Sequence, residues 1–397
     1  MSNSKNNKSL SKRIIFDTYR YPLNNFELKS IAKSVLLPFT QYFNLPQQFI
    51  FFVTSRCNAR CDFCLYLEQV NNPVSLREEL SVDEIIQFTR NYGKLFYLGI
   101  SGGEPFVRAD LAQICQAFID NCRVSVIDIP SNFYFTENTL TTVETIVSGN
   151  PSVVLDLQFS LDNIGEKHDQ SRKVKGLYDK AIITFLALEK LRNNYKNLKL
   201  KINIVYLDDN KNEIHFIADE ITKILKPNRI QITYPHNLLL GSVASSKEVD
   251  NVAQYIKTAQ EIDARYSADI TNDLYSLGLR SLKNSYHNLL KKAVERTMHT
   301  SSYCNAGKNI IVLNEKGDVF PCEPLWDNKL GNIRETDYDI RRIIYGEDYK
   351  QFEQKYLSEK KCNCTYSCAI NSGITTNYSH YPKLATDALK LAYGKKQ

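Results

Sequence analysis

A chain of 397 residues with 43% hydrophobic and 24% charged side chains has the composition of a globular protein, long enough for one large domain and a smaller one or for two to three of ordinary size. Its formal charge of +6 is spread over 50 basic and 44 acidic side chains with no dense basic block, which argues against nucleic-acid binding. Apolar runs such as FIFFV and SVLLPF fall far short of the roughly 20 residues a membrane span needs, and the polar start MSNSKNNKSLSKRIIF leads into no apolar signal core.

The expectation is a cytoplasmic protein with a partly disordered N-terminal extension over residues 1–46. From residue 47 the pattern alternates. QFIFFV reads as a strand, and SVDEIIQFTRNYG as a helix with Ser81 and Glu84 in a capping box and Gly93 as its stop. KLFYLGIS, VSVIDIP, VVLDLQFS, LKLKINIVY and RIQITY read as buried strands, with helices near 109–121, 137–148, 176–194 and 211–225 between them. Six strands separated by helices predict an α/β fold with a parallel sheet, a partial (β/α)6 TIM-like barrel over residues 47–240. A boundary is expected near 236–245, in PHNLLLGSVASS, then a helical connecting segment to residue 300 and a cysteine-rich α+β extension over 301–397.

Ten cysteines in a chain without an export signal point to metal or redox chemistry rather than disulfides. Cys115 and Cys122 lie in a helical stretch, Cys115 on the face of Leu111, Ile114 and Phe118, and read as small core residues. Cys57, Cys61 and Cys64 are different. They follow the first strand directly as C-x3-C-x2-C, too crowded to pair with one another and placed where parallel α/β sheets put ligands. Three thiolates can hold three irons of a [4Fe-4S] cubane and leave the fourth iron open. A ferredoxin or a structural zinc site would want a fourth ligand nearby, and this loop offers none.

This loop resembles that of the radical S-adenosylmethionine (radical SAM) superfamily, and the likeness extends further. Phe63 stands where the family has an aromatic beside the adenine. Gly102, Gly103 and Glu104 resemble its GGE motif, which meets the amino group of the methionyl end; the glycines would permit close backbone approach. Ser131, Asn132 and Phe133 stand where T-N-G is common, without the glycine. Ser160, Asp162, His168, Asp169 and Arg172 match the fourth-strand motif, which implies Ser160 and Asp162 near the ribose and Arg172 near the methionine carboxylate. A surface ion pair with Asp169 is the competing reading of Arg172. The resemblance implies reductive cleavage of S-adenosylmethionine to a 5′-deoxyadenosyl radical that abstracts hydrogen from a substrate, with an external reductant such as flavodoxin or ferredoxin.

Further on, Cys304 and Cys322 bracket two strands, NIIVL and DVF, that can form a hairpin around Gly317. The spacing resembles the opening of SPASM and twitch extensions, which carry auxiliary iron–sulfur clusters. Cys362, Cys364 and Cys368 follow, too few for the full SPASM pattern, so one auxiliary [4Fe-4S] cluster is expected on Cys304, Cys322, Cys364 and Cys368, with Cys362 able to replace one of them. A zinc site on the same thiolates is the competing reading. His215, His236, His287, His299 and His380 show no ligand spacing.

The function expected is a radical SAM oxidoreductase, oxidising or dehydrogenating a biosynthetic substrate. The alternatives are a peptide-modifying SPASM maturase and, in another class, a non-catalytic iron–sulfur or zinc protein. Only 46 residues precede the first strand, fewer than the roughly 80 of a separate leader-binding domain, which tilts the expectation toward a small molecule or a substrate presented by another protein.

Overall fold

The computed structural model describes residues 45–235, 245–266, 274–295, 297, 303–359 and 364–393. Six strands, β1 (Gln48–Phe52), β2 (Tyr97–Ser101), β3 (Val126–Ser131), β4 (Val154–Ser160), β5 (Leu198–Val205) and β6 (Arg229–Thr233), lie side by side in chain order and all in parallel. Between them run α1 (Val82–Tyr92), α2 (Leu111–Cys122), α3 (Thr136–Gly149), α4 (Glu166–Arg172), α5 (Leu177–Asn194) and α6 (Ile214–Ile224). The sheet is open at β6, as six βα units without closure require.

Local chemistry sets the element ends. Ser81 accepts from the Glu84 amide, and the Glu84 carboxylate accepts from the Ser81 amide, so α1 begins with the capping box expected of it. Gly93 ends it at φ +91°, in the region open to glycine. Cys115 and Cys122 are fully buried in α2, as read from the sequence.

The two faces of these strands differ in character. One face, with Ile127, Ile129, Leu155, Leu157, Ile202 and Ile230, packs under the helices. The alternating positions carry Asp128, Asp156, Gln158, Lys201, Asn203 and Arg229 toward the other, inner face. There Lys201 pairs with Asp128 and lies 3.6 Å from Asp156, which also takes Arg229 at 2.5 Å. Burial raises the pKa of Asp128 despite Lys201. It also opposes ionisation of Asp156, where Arg229 and Lys201 together outweigh it and hold the carboxyl below its usual range. The barrel interior is therefore a charged, internally compensated lumen.

Beyond the expected boundary, most of which lies outside the described residues, α7 (Ser246–Tyr266) packs on β6, and α8 (Leu274–Val294) on α7. The cysteine-rich extension begins with β7 (Ile310–Leu313), β8 (Asp318–Phe320) and β9 (Gly331–Asn332) and ends with α9 (Ser367–Thr375) and α10 (Tyr381–Tyr393). β7 and β8 form the expected hairpin, with Gly317 at φ +87° in the turn. β7 also pairs in parallel with β1, Gln48 opposite Ile310 and Phe51 opposite Leu313, so core and extension share one nine-stranded sheet. Among the described residues no helix is long and apolar enough to cross a membrane.

Candidate active site and metal centres

The loop from Val53 to Cys64 leaves the carboxyl end of β1 and is anchored from below. Arg108, buried, donates to the Val53 carbonyl at 3.0 Å and the Leu80 carbonyl at 3.1 Å. Glu79, also buried, accepts from the Thr54 hydroxyl at 2.5 Å and from the Arg56 guanidinium at 3.1 Å. Neither anchor was found from sequence, because a buried ion pair between distant loops leaves no local pattern.

Gly102 and Gly103 run alongside this loop. The Gly103 amide donates to the Thr54 carbonyl at 2.7 Å and the Glu104 amide to the Arg56 carbonyl at 2.9 Å. A Cβ on Gly102 would stand 2.3 Å from the Thr54 oxygen, and one on Gly103 2.2 Å from the Arg56 oxygen. The close approach these glycines permit is to the chain's own backbone, three residues and one residue before Cys57.

Glu104 is 2% exposed and its carboxylate is gripped by the Ser131 hydroxyl (2.7 Å), the Asn132 amide (2.8 Å) and the Phe106 amide (3.2 Å). Burial pushes its pKa up against these donors. Asn132 reaches across to the cysteine loop, its side-chain nitrogen donating to Asn58 Oδ1 at 2.8 Å. Phe133 occupies the position of the missing glycine and takes the glycine's conformation, at φ +59°. It is fully buried and stacked on Phe159 at 5.2 Å, while its amide donates to Ser131 Oγ at 2.9 Å and its carbonyl accepts from Thr184. Packing thus holds a bulky residue in a backbone state that costs it about 1–2 kcal/mol.

Arg172 closes the fourth side. Its partner is Asp162, through Nε at 2.9 Å and Nη2 at 2.7 Å, and not Asp169, which instead accepts from the Gly176 and Tyr178 amides. The Asp162 carboxylate also accepts from the Val205 amide at 3.2 Å, so it serves to hold Arg172. The Arg172 guanidinium lies 5.7 Å from the Phe63 ring centre, and its carbonyl accepts from the Arg60 amide. His168, buried, accepts from the Asp162 amide through Nδ1 at 3.3 Å; burial and Arg172 hold its pKa well below the usual value. Ser160, half-buried at the end of β4, pairs with Asn203 in the sheet, and its hydroxyl has no hydrogen bond among the described residues.

The three thiols face this enclosure. Backbone amides donate to two of them, Ala59 to Cys57 Sγ at 3.3 Å and Tyr66 to Cys64 Sγ at 3.4 Å. Burial raises all three pKa values, Cys57 to about 12, while the Arg172 charge acts to lower Cys61 and Cys64. The side-chain nitrogen of Asn58 is buried without a partner. Among the described residues no three His, Cys, Asp or Glu side chains converge on one metal ion. A cubane makes no such demand, because each thiolate meets a different iron. The donor set, the amides aimed at sulfur and the orphaned Asn58 nitrogen fit a thiolate-bound cluster with a ligand beside it.

In the extension, Cys322 is raised well above its usual pKa by burial and by the neighbouring charges of Cys304 and Cys364, so these three thiols stand together. The Ala306 amide donates to Cys304 Sγ at 3.4 Å. Cys368 opens α9, where burial first, then the charges of Glu323 and of Asp128 on the barrel's inner face, raise its pKa to about 12. Cys362 lies outside the described residues, as do His236 and His299. His287 is buried in α8 and His215 faces Glu261, so neither joins a thiol site.

Residues 51–221 match the radical SAM superfamily, and residues 304–369 match SPASM, an iron–sulfur cluster-binding domain. The chain is 24% identical over 271 residues to the mycofactocin maturase MftC of Mycolicibacterium smegmatis, covering 68% of this chain and 62% of that one. It is 25% identical over 199 residues to the GTP 3′,8-cyclase of Aquifex aeolicus, covering 44% of this chain and 62% of that one. The matches thus span about three fifths of these relatives. In fold it is similar to anSMEcpe with bound AdoMet (TM-score 0.52, 14% identity, 88% of this chain and 97% of that one) and to Streptococcus suis SuiB (TM-score 0.51, 14% identity, 85% and 74%). Residues 51–221, which form most of the barrel, thus carry a radical SAM domain, and residues 304–369 carry a SPASM domain after it.

Proposed function

We propose that this protein is a radical SAM oxidoreductase acting on a peptide. The observation that carries the radical chemistry is the enclosure of Cys57, Cys61 and Cys64 by Glu104, Asn132 and Arg172, each fixed by buried hydrogen bonds. When bound, a [4Fe-4S] cluster and S-adenosylmethionine supply a one-electron cleavage that yields a 5′-deoxyadenosyl radical. The three thiolates would hold the cluster. Glu104, already oriented by Ser131 and Asn132, would receive an ammonium, and Arg172, steadied by Asp162, would receive a carboxylate. Phe63 and Ser160 would bound the nucleoside, and Gly102 and Gly103 hold the loop against the second strand. The polar lumen would orient the substrate, and the buried walls exclude water from a reactive carbon centre.

In the extension, Cys304, Cys322 and Cys364 with Cys368 or Cys362 would hold one auxiliary cluster, able to accept the second electron of an oxidation. The match to a maturase over 68% of the chain favours the peptide alternative over the small molecule or protein-presented substrate toward which the sequence tilts. A reductant of the flavodoxin or ferredoxin class completes the reaction.

Anaerobically reconstituted protein should hold about eight irons, four per cubane. With dithionite and S-adenosylmethionine it should release 5′-deoxyadenosine. Alanine at Cys57, Cys61 and Cys64 should abolish release; continued release would defeat the radical reading, and zinc without iron would favour a scaffold. Peptide profiling of cells with and without the gene should reveal a peptide that has lost two hydrogens, whereas a change confined to small metabolites would defeat the peptide reading.

A further inference from the structure

Between β6 and the helices that cover the open side of the barrel lies a cavity of about 130 Å³. Its walls are Asn228–Thr233, then Arg280, Lys283 and Tyr286 from α8, and Ser367 and Asn371 from α9. No residue of the cysteine loop lines it, nor do Glu104, Asn132 or Arg172. The volume is several times what one water requires, enough for a small polar group with a few further heavy atoms.

The charge of this wall is unbalanced. Arg229, Arg280 and Lys283 face a single lining carboxylate, Asp263. Arg229 is engaged by Asp156 at 2.5 Å, and Arg280 by Asp263 at 2.6 Å. Lys283 forms no hydrogen bond or ion pair among the described residues, although it is largely removed from solvent. Burial lowers its pKa to about 8, with the Asp263 charge opposing and the Arg229 and Arg280 charges assisting. A second orphan faces it from the extension, since the side-chain oxygen of Asn371 is buried without a partner. A carboxamide can turn either end to a ligand, so this group can offer an N–H.

An unpaired ammonium beside two guanidiniums in a cavity wall is unfavourable unless a counter-charge arrives. A metal cation would meet like charge, and an apolar group would leave Lys283 and Asn371 unsatisfied. We propose that this cavity binds an oxyanion, a carboxylate or phosphate group, held by Lys283 and the Asn371 amide between the barrel edge and α9. Such a ligand joins core and extension, because α9 also carries Cys368. The site does not depend on the radical reading, and its test uses neither S-adenosylmethionine nor a reductant.

The test is calorimetric titration of the full-length, cluster-reconstituted protein with glutarate and, separately, inorganic phosphate, at ionic strength matched with chloride. One saturable site is expected. Lys283→Met should weaken binding by about 10- to 100-fold, as loss of one charge-assisted hydrogen bond implies, and Lys283→Arg should stay within a few-fold of wild type. Lys283→Met removes an uncompensated charge, so its fold should survive; if it does not, Asn371→Leu carries the same test. Saturation by glutarate alone identifies a carboxylate ligand, and by phosphate alone a phosphate ligand. Absence of saturable binding for both, or unchanged affinity in Lys283→Met, overturns the proposal.

Discussion

Tyr66 donates a 2.5 Å hydrogen bond to Glu315, tying the residue two positions past Cys64 to the turn between β7 and β8. Both residues are 1% exposed, and the Glu315 carbonyl also accepts from the Leu80 amide at 2.7 Å. Around the bond, Trp326 packs 4.9 Å from Tyr66, from Phe52 and from Phe320. The two cysteine regions are therefore joined by an aromatic cluster and a buried polar contact as well as by the shared sheet.

Tyr66→Phe should destabilise the protein by about 1–2 kcal/mol, because it removes one donor from a buried carboxylate, leaving Ser55 as its side-chain partner, and keeps the ring contacts intact. Urea unfolding monitored by tryptophan fluorescence reports this directly, since Trp326 is the chain's one tryptophan and sits in the same cluster. A change below about 0.5 kcal/mol would show that the Ser55 contact suffices for Glu315.

Gly103→Ala places a methyl group 2.2 Å from the Arg56 carbonyl oxygen, and rigid backbone on both sides leaves little room to yield. The expected cost is about 1–3 kcal/mol, with the loop bearing Cys57 displaced. Iron content after reconstitution should fall at the first site while the extension keeps its metal.

Phe133→Gly separates backbone strain from packing. Relief of the positive φ is worth about 1–2 kcal/mol, and loss of a fully buried ring stacked on Phe159 costs about 3–5 kcal/mol. A net loss of about 1–4 kcal/mol is expected in chemical denaturation. A gain in stability would mean that strain outweighs packing at this turn.

Glu84 binds Arg334 of the extension at 2.6 Å, and that contact, with Ser81 and Tyr338, pulls its pKa down to about 2. A carboxyl depressed in the folded state stabilises above its unfolded value, near 4.3, and loses that contribution as the pH falls toward 2. The shift would be worth about 3 kcal/mol if fully transmitted; side chains 22% and 34% exposed reduce this to about 1–2 kcal/mol. Glu84→Gln should therefore be less stable than wild type at pH 7, and the gap should narrow below about pH 4.5. A gap that widens on acidification would reverse the sign argued here.

The alternating strands and helices, the capping box at Ser81, the core cysteines of α2 and the hairpin around Gly317 were all legible in the sequence, because each rests on neighbours in the chain. So was the cysteine triad after β1, since one loop carries all three thiols. The polar lumen was present too, as the period-two charges of VIDIP, VLDLQ and LKLKIN, but apolar neighbours masked it. What only tertiary structure decided were the choice between nearby partners, Arg172 with Asp162 rather than Asp169, and pairings across long stretches of chain: Arg108 under the cysteine loop, β7 beside β1, and Tyr66 with Glu315. Periodicity records which face of an element is buried. It does not record which distant charge or strand edge lies opposite, because that choice is made by packing the whole sheet at once.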